Sequence, residues 1–489
     1  MPPASSPADT SSAVLPFGTA SLDAQADALQ RTQACFIHWR EASASSAAAH
    51  AFVERDRQIP AHVWKTMIPC GVLPLPGPTD RDPSRLLVTA LATAAPTPMD
   101  AARLLESACQ AGVLLRRDAA FQDAGRAVHG AAWRGMSPAD QRAALQTLIA
   151  QQAQRGHAPT AYYTDYPVVV RDGAEGRTAR DYGHWLAVPL QQRHPETGAV
   201  TLTGFAYRSL RPLAETGVDY RHRRSRRNGF GDSRGLLMGL ADFGDALRAR
   251  RAAVVVEGTM DWLAACAAYD AAPHRALPPV GVQGVELTSG EMDALAAVAP
   301  RIVALLDFDS AGQRGTTTFG QGLLARGTAV YVGNRDALTA RGMPDAAVAA
   351  CKDPSDIVRH GGVDALVACQ VAAMRRPLPS HQLAAYTAAI VSDPALRTRR
   401  QQWAALVAVA PSIAYWPEST HTFVAEAAAA LDLDPAAVGL EVAAVPPLPV
   451  RRHVTPAVTP ESNVSSSPSG SVLAAPAGVR RVSPARRGR

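Results

Sequence analysis

Apolar positions along the chain change period twice. From Leu22 to about Gly156 they recur at three- and four-residue intervals, which predicts helices, with breaks at Pro74–Pro83 and Pro96–Pro98. From Tyr166 the pattern shortens to strand-like runs: Pro167–Val170, Trp185–Leu190 and Thr201–Arg208, the last two joined by turn residues at Arg193–Gly198. After Ala249 short apolar runs alternate with helical stretches, which predicts parallel strands covered by helices. The expected elements there are strands at Ala252–Val256, Pro279–Gly284, Ile302–Leu306 and Thr328–Val332, with helices at Asp261–Tyr269, Ser289–Val298 and Gln313–Ala325. Ser380–Val438 returns to helical spacing, and Pro, Ser and Thr dominate beyond Pro446.

Two of the parallel-strand runs stop on acids. The first ends in Glu257-Gly258, and the second in Asp307-Phe308-Asp309-Ser310-Ala311-Gly312. Side chains two apart at a strand end leave on the same side, so Asp307 and Asp309 form one patch while Phe308 points away. Such carboxylates repel one another, which raises their pKa values unless a cation neutralises them. Hard oxygen donors that leave room for water and phosphate suit Mg²⁺ or Mn²⁺. The plainer alternative is that these acids only complement helix N-termini.

The ordered set Val256-Glu257-Gly258-x-x-Asp261, Asp307-x-Asp309-x-Ala311-Gly312 and Lys352-Asp353-Pro354-Ser355-Asp356 resembles the Toprim domain, in the arrangement of bacterial DnaG-type primases. Val188-Pro189-Leu190 and Gly204-Phe205-Ala206-Tyr207-Arg208 resemble two strands that precede Toprim in those enzymes, and Ser380–Val438 resembles their helical cap. The resemblance implies a two-metal Mg²⁺ or Mn²⁺ site at Glu257, Asp307 and Asp309, with Asp353 as a further metal position. Gly258, Asp261, Gly312 and Asp356 complete the motif. Ser355 stands where the family more often has an acid. Arg208 and Lys352 would face nucleic acid or nucleotide, a structural ion pair being the alternative for Arg208.

Arg221, Arg223, Arg224, Arg226 and Arg227 fall in seven residues of non-periodic, Gly-rich sequence. Mutual repulsion predicts an unpacked run that holds template phosphates, or else a solvated loop. Cys35 and His38 have C-x-x-H spacing, but no C-x-x-C follows, so a zinc ribbon is not recognisable, zinc is not expected, and the pair reads as part of a helix.

Composition narrows the choice. Of 49 basic residues only Lys65 and Lys352 are lysines, and neither lies in a phosphate-binding loop, so a P-loop motor is not expected. The net charge is +6, and the segment from Pro446 carries seven arginines against Glu461, so the rest is about neutral. Any nucleic-acid surface on the body is then a local patch. Six cysteines without paired spacing suit a reducing compartment. No apolar stretch is long enough to span a bilayer, and no signal peptide is evident.

The expected protein is α/β: a flexible segment 1–45, an α+β primase-core subdomain 46–248, a Toprim catalytic domain 249–365 with a small parallel sheet flanked by helices, a helical subdomain 366–445 and a disordered basic tail 446–489. The expected activity is metal-dependent synthesis of short RNA primers on single-stranded DNA from NTPs. It would act in the bacterial cytoplasm beside the nucleoid or replisome, with a replicative helicase as a further partner and no membrane. The alternative is a non-catalytic or nuclease-type Toprim protein accessory to replication or DNA transfer. A nuclease of the kind that carries an ATPase lacks its P-loop here, and a type IA topoisomerase would need further domains with a nucleophilic tyrosine.

Overall fold

The computed structural model describes residues 20–42, 44–73, 85–165, 185–193, 200–210, 222–224, 237–284, 287–409 and 420–433. The expected strand at 167–170, the turn at 194–198, Arg221, Arg226, Arg227 and the tail 446–489 lie outside them. The chain through Arg451 forms one unit.

The strands in chain order are β1 (Gly71–Val72), β2 (Leu114–Arg116), β3 (Tyr163–Asp165), β4 (Trp185–Arg193), β5 (Val200–Ser209), β6 (His222–Arg224), β7 (Ala253–Val256), β8 (Pro279–Gly281), β9 (Arg301–Ala304) and β10 (Ala329–Val332). An antiparallel sheet has the order β1-β4-β5-β6, a parallel sheet the order β10-β9-β7-β8, and β2 pairs with β3. No helix among the described residues is long and apolar enough to cross a membrane.

The antiparallel sheet is a wall between two cores, and strand alternation makes it so. Leu186, Val188 and Ala206 face a core shared with the parallel sheet. Trp185, Ala187, Phe205 and Tyr207 face a second core built with the N-terminal helices. The helix expected from Leu22 within the segment 1–45 spans Leu22–Ala42 and packs into that second core through Ala28, Leu29 and Phe36 rather than staying flexible.

The parallel sheet is buried as its β-branched runs predict: every residue of β7 is buried. Short-range chemistry sets the helix starts around it. The helix Ser289–Val298 begins with a capping box in which Glu291 N donates to Thr288 Oγ1 (3.3 Å) and Thr288 N donates to Glu291 Oε2 (2.7 Å).

Two boundaries differ from the sequence expectation. The stretch from Ala49 to Val72 packs into the same core as β7 and β9 rather than forming a separate subdomain. The helix Val363–Ala373 also packs there through Leu366, Val367 and Cys369, and the separate C-terminal helical core starts at Leu383.

Candidate active site

The carboxyl edge of the parallel sheet gathers the acids. β7 ends at Val256 and is followed by Glu257; β9 ends at Ala304 and the extended chain runs on through Asp307 to Asp309. The third motif is drawn in by Phe308 N, which donates to Lys352 O (2.8 Å). Gly312 is required where the helix Ser310–Leu324 turns over this loop, because a Cβ there would collide with the backbone of Asp307. At Gly258 a Cβ would lie 2.6 Å from Asp261 Oδ2.

Asp261 holds the first and third motifs together. Its Oδ2 accepts from Gly258 N and its Oδ1 from Ser355 N, each at 3.0 Å. Burial, then the charges of Asp353 and Asp307, push its carboxyl well above the usual range. Burial and then the Asp356 charge raise Asp353 as well, while the Asp356 backbone N–H, the Arg57 charge and a side-chain contact from Asp261 partly offset them. The role of Asp261 is structural.

Asp309 and Asp353 each spend one oxygen on a helix N-terminus. Ala311 N and Gly312 N donate to Asp309 Oδ1, both at 2.8 Å, and Asp356 N donates to Asp353 Oδ1 at 2.7 Å. The helix-end role entertained from the sequence is thus real for Asp309, and Asp353 caps a helix as well. It does not explain Glu257, whose Oε2 is buried without a partner. Burial, then Asp309 and Asp353, raise the Glu257 carboxyl, while a backbone contact from Asp307 partly offsets them.

Asp307 is pushed up to about 7, first by burial and then by Glu257, Asp353, Asp309 and Asp356. Its value in the fold exceeds the ordinary 3.8, so stability from this group is fully present below about 4 and is lost as the pH rises to about 7. Metal-free protein should therefore melt at a lower temperature at pH 8 than at pH 5, and Mg²⁺ should recover part of the loss at pH 8 only. Asp307→Asn should flatten this profile; a variant that keeps the wild-type slope would contradict the assignment.

The donors are the hard oxygens a divalent cation needs, and the partnerless Glu257 Oε2 offers a ligand at no cost in broken hydrogen bonds. Among the described residues no three His, Cys, Asp or Glu side chains close into a cage.

The remaining sequence candidates fare differently. The Lys352 side chain is exposed, while its backbone N–H donates to Asp356 Oδ2 (3.2 Å). Arg208 on β5 is only 8% exposed and lies against Phe52, its guanidinium 5.8 Å from the ring centre. It is thus packed inside rather than presented to an open groove. Arg223 and Arg224 are in β6, whose backbone pairs with Tyr207 and Ala206 of β5, so this part of the run is a strand. Arg116 is in β2 and pairs with the buried Glu106, which Tyr163 also contacts. Cys35 and His38 both lie in the helix Leu22–Ala42.

Sequence reasoning missed Arg57. It reaches from the N-terminal part to the third motif, donating to Ser355 Oγ and Asp356 Oδ1, both at 3.2 Å, and its guanidinium lies 5.5 Å from the Phe52 ring centre. Nothing local distinguishes it from the other arginines. Only the packing of its stretch against the parallel sheet reveals it.

A mixed fold with an acidic edge on a small parallel sheet, preceded by an antiparallel wall and followed by helices, defines the architecture of a primase catalytic core. Solved structures bear this out. The RNA polymerase domain of Mycobacterium tuberculosis primase DnaG, in complex with a double-stranded DNA oligomer with a 6-nucleotide overhang, is 16% identical, with a TM-score of 0.54 covering 85% of this chain and 99% of its own. A DNA primase domain from Pseudomonas aeruginosa is 15% identical, with a TM-score of 0.51 covering 86% and 99%. A DnaG primase catalytic domain bound to ssDNA is 16% identical, with a TM-score of 0.51 covering 85% and 98%. No protein-family model matches the chain, and no curated sequence matches it significantly. The likeness is one of fold.

Proposed function

We propose that the chain is a primase-like nucleotidyltransferase of the Toprim type, which makes short RNA primers on a single-stranded DNA template from NTPs. The observation that carries this reading is the convergence of Glu257, Asp307, Asp309 and Asp353 at one sheet edge, close enough to raise Asp307 to about 7, within a primase catalytic fold. Glu257, Asp307 and Asp309 would hold Mg²⁺ or Mn²⁺, with Asp353 beside them. Bound there, the cation would neutralise phosphate charge and activate a primer 3′-hydroxyl. Asp261 keeps the first and third motifs in register, and Arg57 steadies the third motif through Ser355 and Asp356. The exposed Lys352 would meet a triphosphate, and Arg221, Arg223, Arg224, Arg226 and Arg227 are proposed to hold the template. The protein would act in the cytoplasm, where a replicative helicase is a natural partner.

A second reading, a DNA-binding accessory without catalysis, is favoured by the capping roles of Asp309 and Asp353. Incubation with single-stranded DNA, labelled NTPs and Mn²⁺ separates the two. Labelled short RNA is the expected product; binding without product would establish the accessory role.

A further inference from the structure

The parallel sheet has a second pole, and its chemistry is the opposite of the first. Three connections enter adjacent strands at the amino edge: Arg248–Arg251 before β7, His274–Arg275 before β8 and Arg301 at the start of β9. They are held side by side, since Arg301 Nη2 donates to Arg250 O (3.3 Å) and Arg250 Nη2 donates to His274 O (3.0 Å). Arg248, Arg251, Arg275 and Arg301 are exposed. Arg248 pairs with Asp245; among the described residues Arg250, Arg251, Arg275 and Arg301 have no carboxylate partner. Beside them Arg326 is different, because Asp293 neutralises it.

Arg251 adds a second observation. It closes the helix Gly244–Arg250 in the left-handed conformation (φ 49°), where glycine is the residue a backbone would ask for. An arginine held there at conformational cost, in a body with almost no net charge outside its tail, points to a use for the side chain.

We propose that this pole is a second nucleic-acid surface, which takes the phosphate backbone of duplex DNA. Its guanidiniums come from three neighbouring strands, so they spread over roughly 10 Å, enough for two or three phosphates. No exposed large apolar side chain comes from these three connections, whereas a protein interface needs an apolar centre. Apart from His274 they carry no aromatic ring, so unstacked bases of a single strand would find nothing to stack on. A duplex presents only its phosphates and suits such a surface. The surface stands apart from the carboxylates and does not depend on the catalytic reading.

The test uses the full chain in EDTA, which removes any metal contribution at the acidic edge. Binding of a blunt duplex and of a single strand of equal length is followed against salt. Replacing Arg251, Arg275 and Arg301 by glutamine should make the duplex salt slope shallower by roughly three, about one per lost phosphate contact, and leave the single-strand slope alone. Arg251→Gln with Arg275→Gln, which removes no hydrogen bond seen among the described residues, should shift it by roughly two and leave the melting temperature unchanged. An unchanged duplex slope overturns the proposal, as does an equal loss on single strands. Retention on a poly-glutamate resin that disappears in the variant while duplex affinity persists would assign the pole to an acidic protein instead.

Discussion

Asp309→Asn should reduce primer synthesis on the order of 10²- to 10³-fold, the usual loss when one electrostatic stabiliser leaves a reaction centre. The substitution is informative because of what it preserves. Asp309 Oδ1 accepts from Ala311 N and Gly312 N, and asparagine caps a helix about as well as aspartate. The fold should therefore hold, with a melting temperature close to wild type, while metal affinity and activity fall together. Glu257→Gln should behave alike, since it keeps the volume and removes the charge that Asp309 and Asp353 oppose. If the acids merely complement helix ends, both variants would retain Mn²⁺ affinity and differ from wild type only by a small stability change.

The largest effect on stability is expected at Asp261. Alanine there would strand the buried Ser355 N–H, at about 1–3 kcal/mol, and the half-buried Gly258 N–H at less. It would also release the tie between the first and third motifs, so activity should fall even in the folded fraction. Asp261→Asn keeps one acceptor and should cost about half as much. Thermal melts of the two variants, read beside activity per folded molecule, check this order. Two variants that melt like wild type would show that the motifs are joined by something else.

Much of the site was legible because its information is local. β-branched runs gave β7 and β9, the acids at their ends marked the carboxyl edge, and helical spacing placed a helix at Ser289–Val298. Asp261 was legible as a motif position but not as the strut it is, because its partner Ser355 lies 94 residues away. Arg57 reaches Asp356 across 299 residues and carries no local signal at all. The pairing of Arg116 with Glu106 likewise carries no local signal. The run after Arg221 misled in part because its lack of periodicity argues against regular structure, whereas Arg223 and Arg224 pair through their backbone with β5.

The central claim is that one sheet edge holds a catalytic cation, and anomalous diffraction from crystals soaked in Mn²⁺ and a nucleoside triphosphate tests it most directly. The account predicts a peak at about 2–2.2 Å from oxygens of Glu257 and of Asp307 or Asp309, with triphosphate oxygens completing the shell. A nucleotide bound with no peak at this edge, or a peak held by other residues, would contradict it.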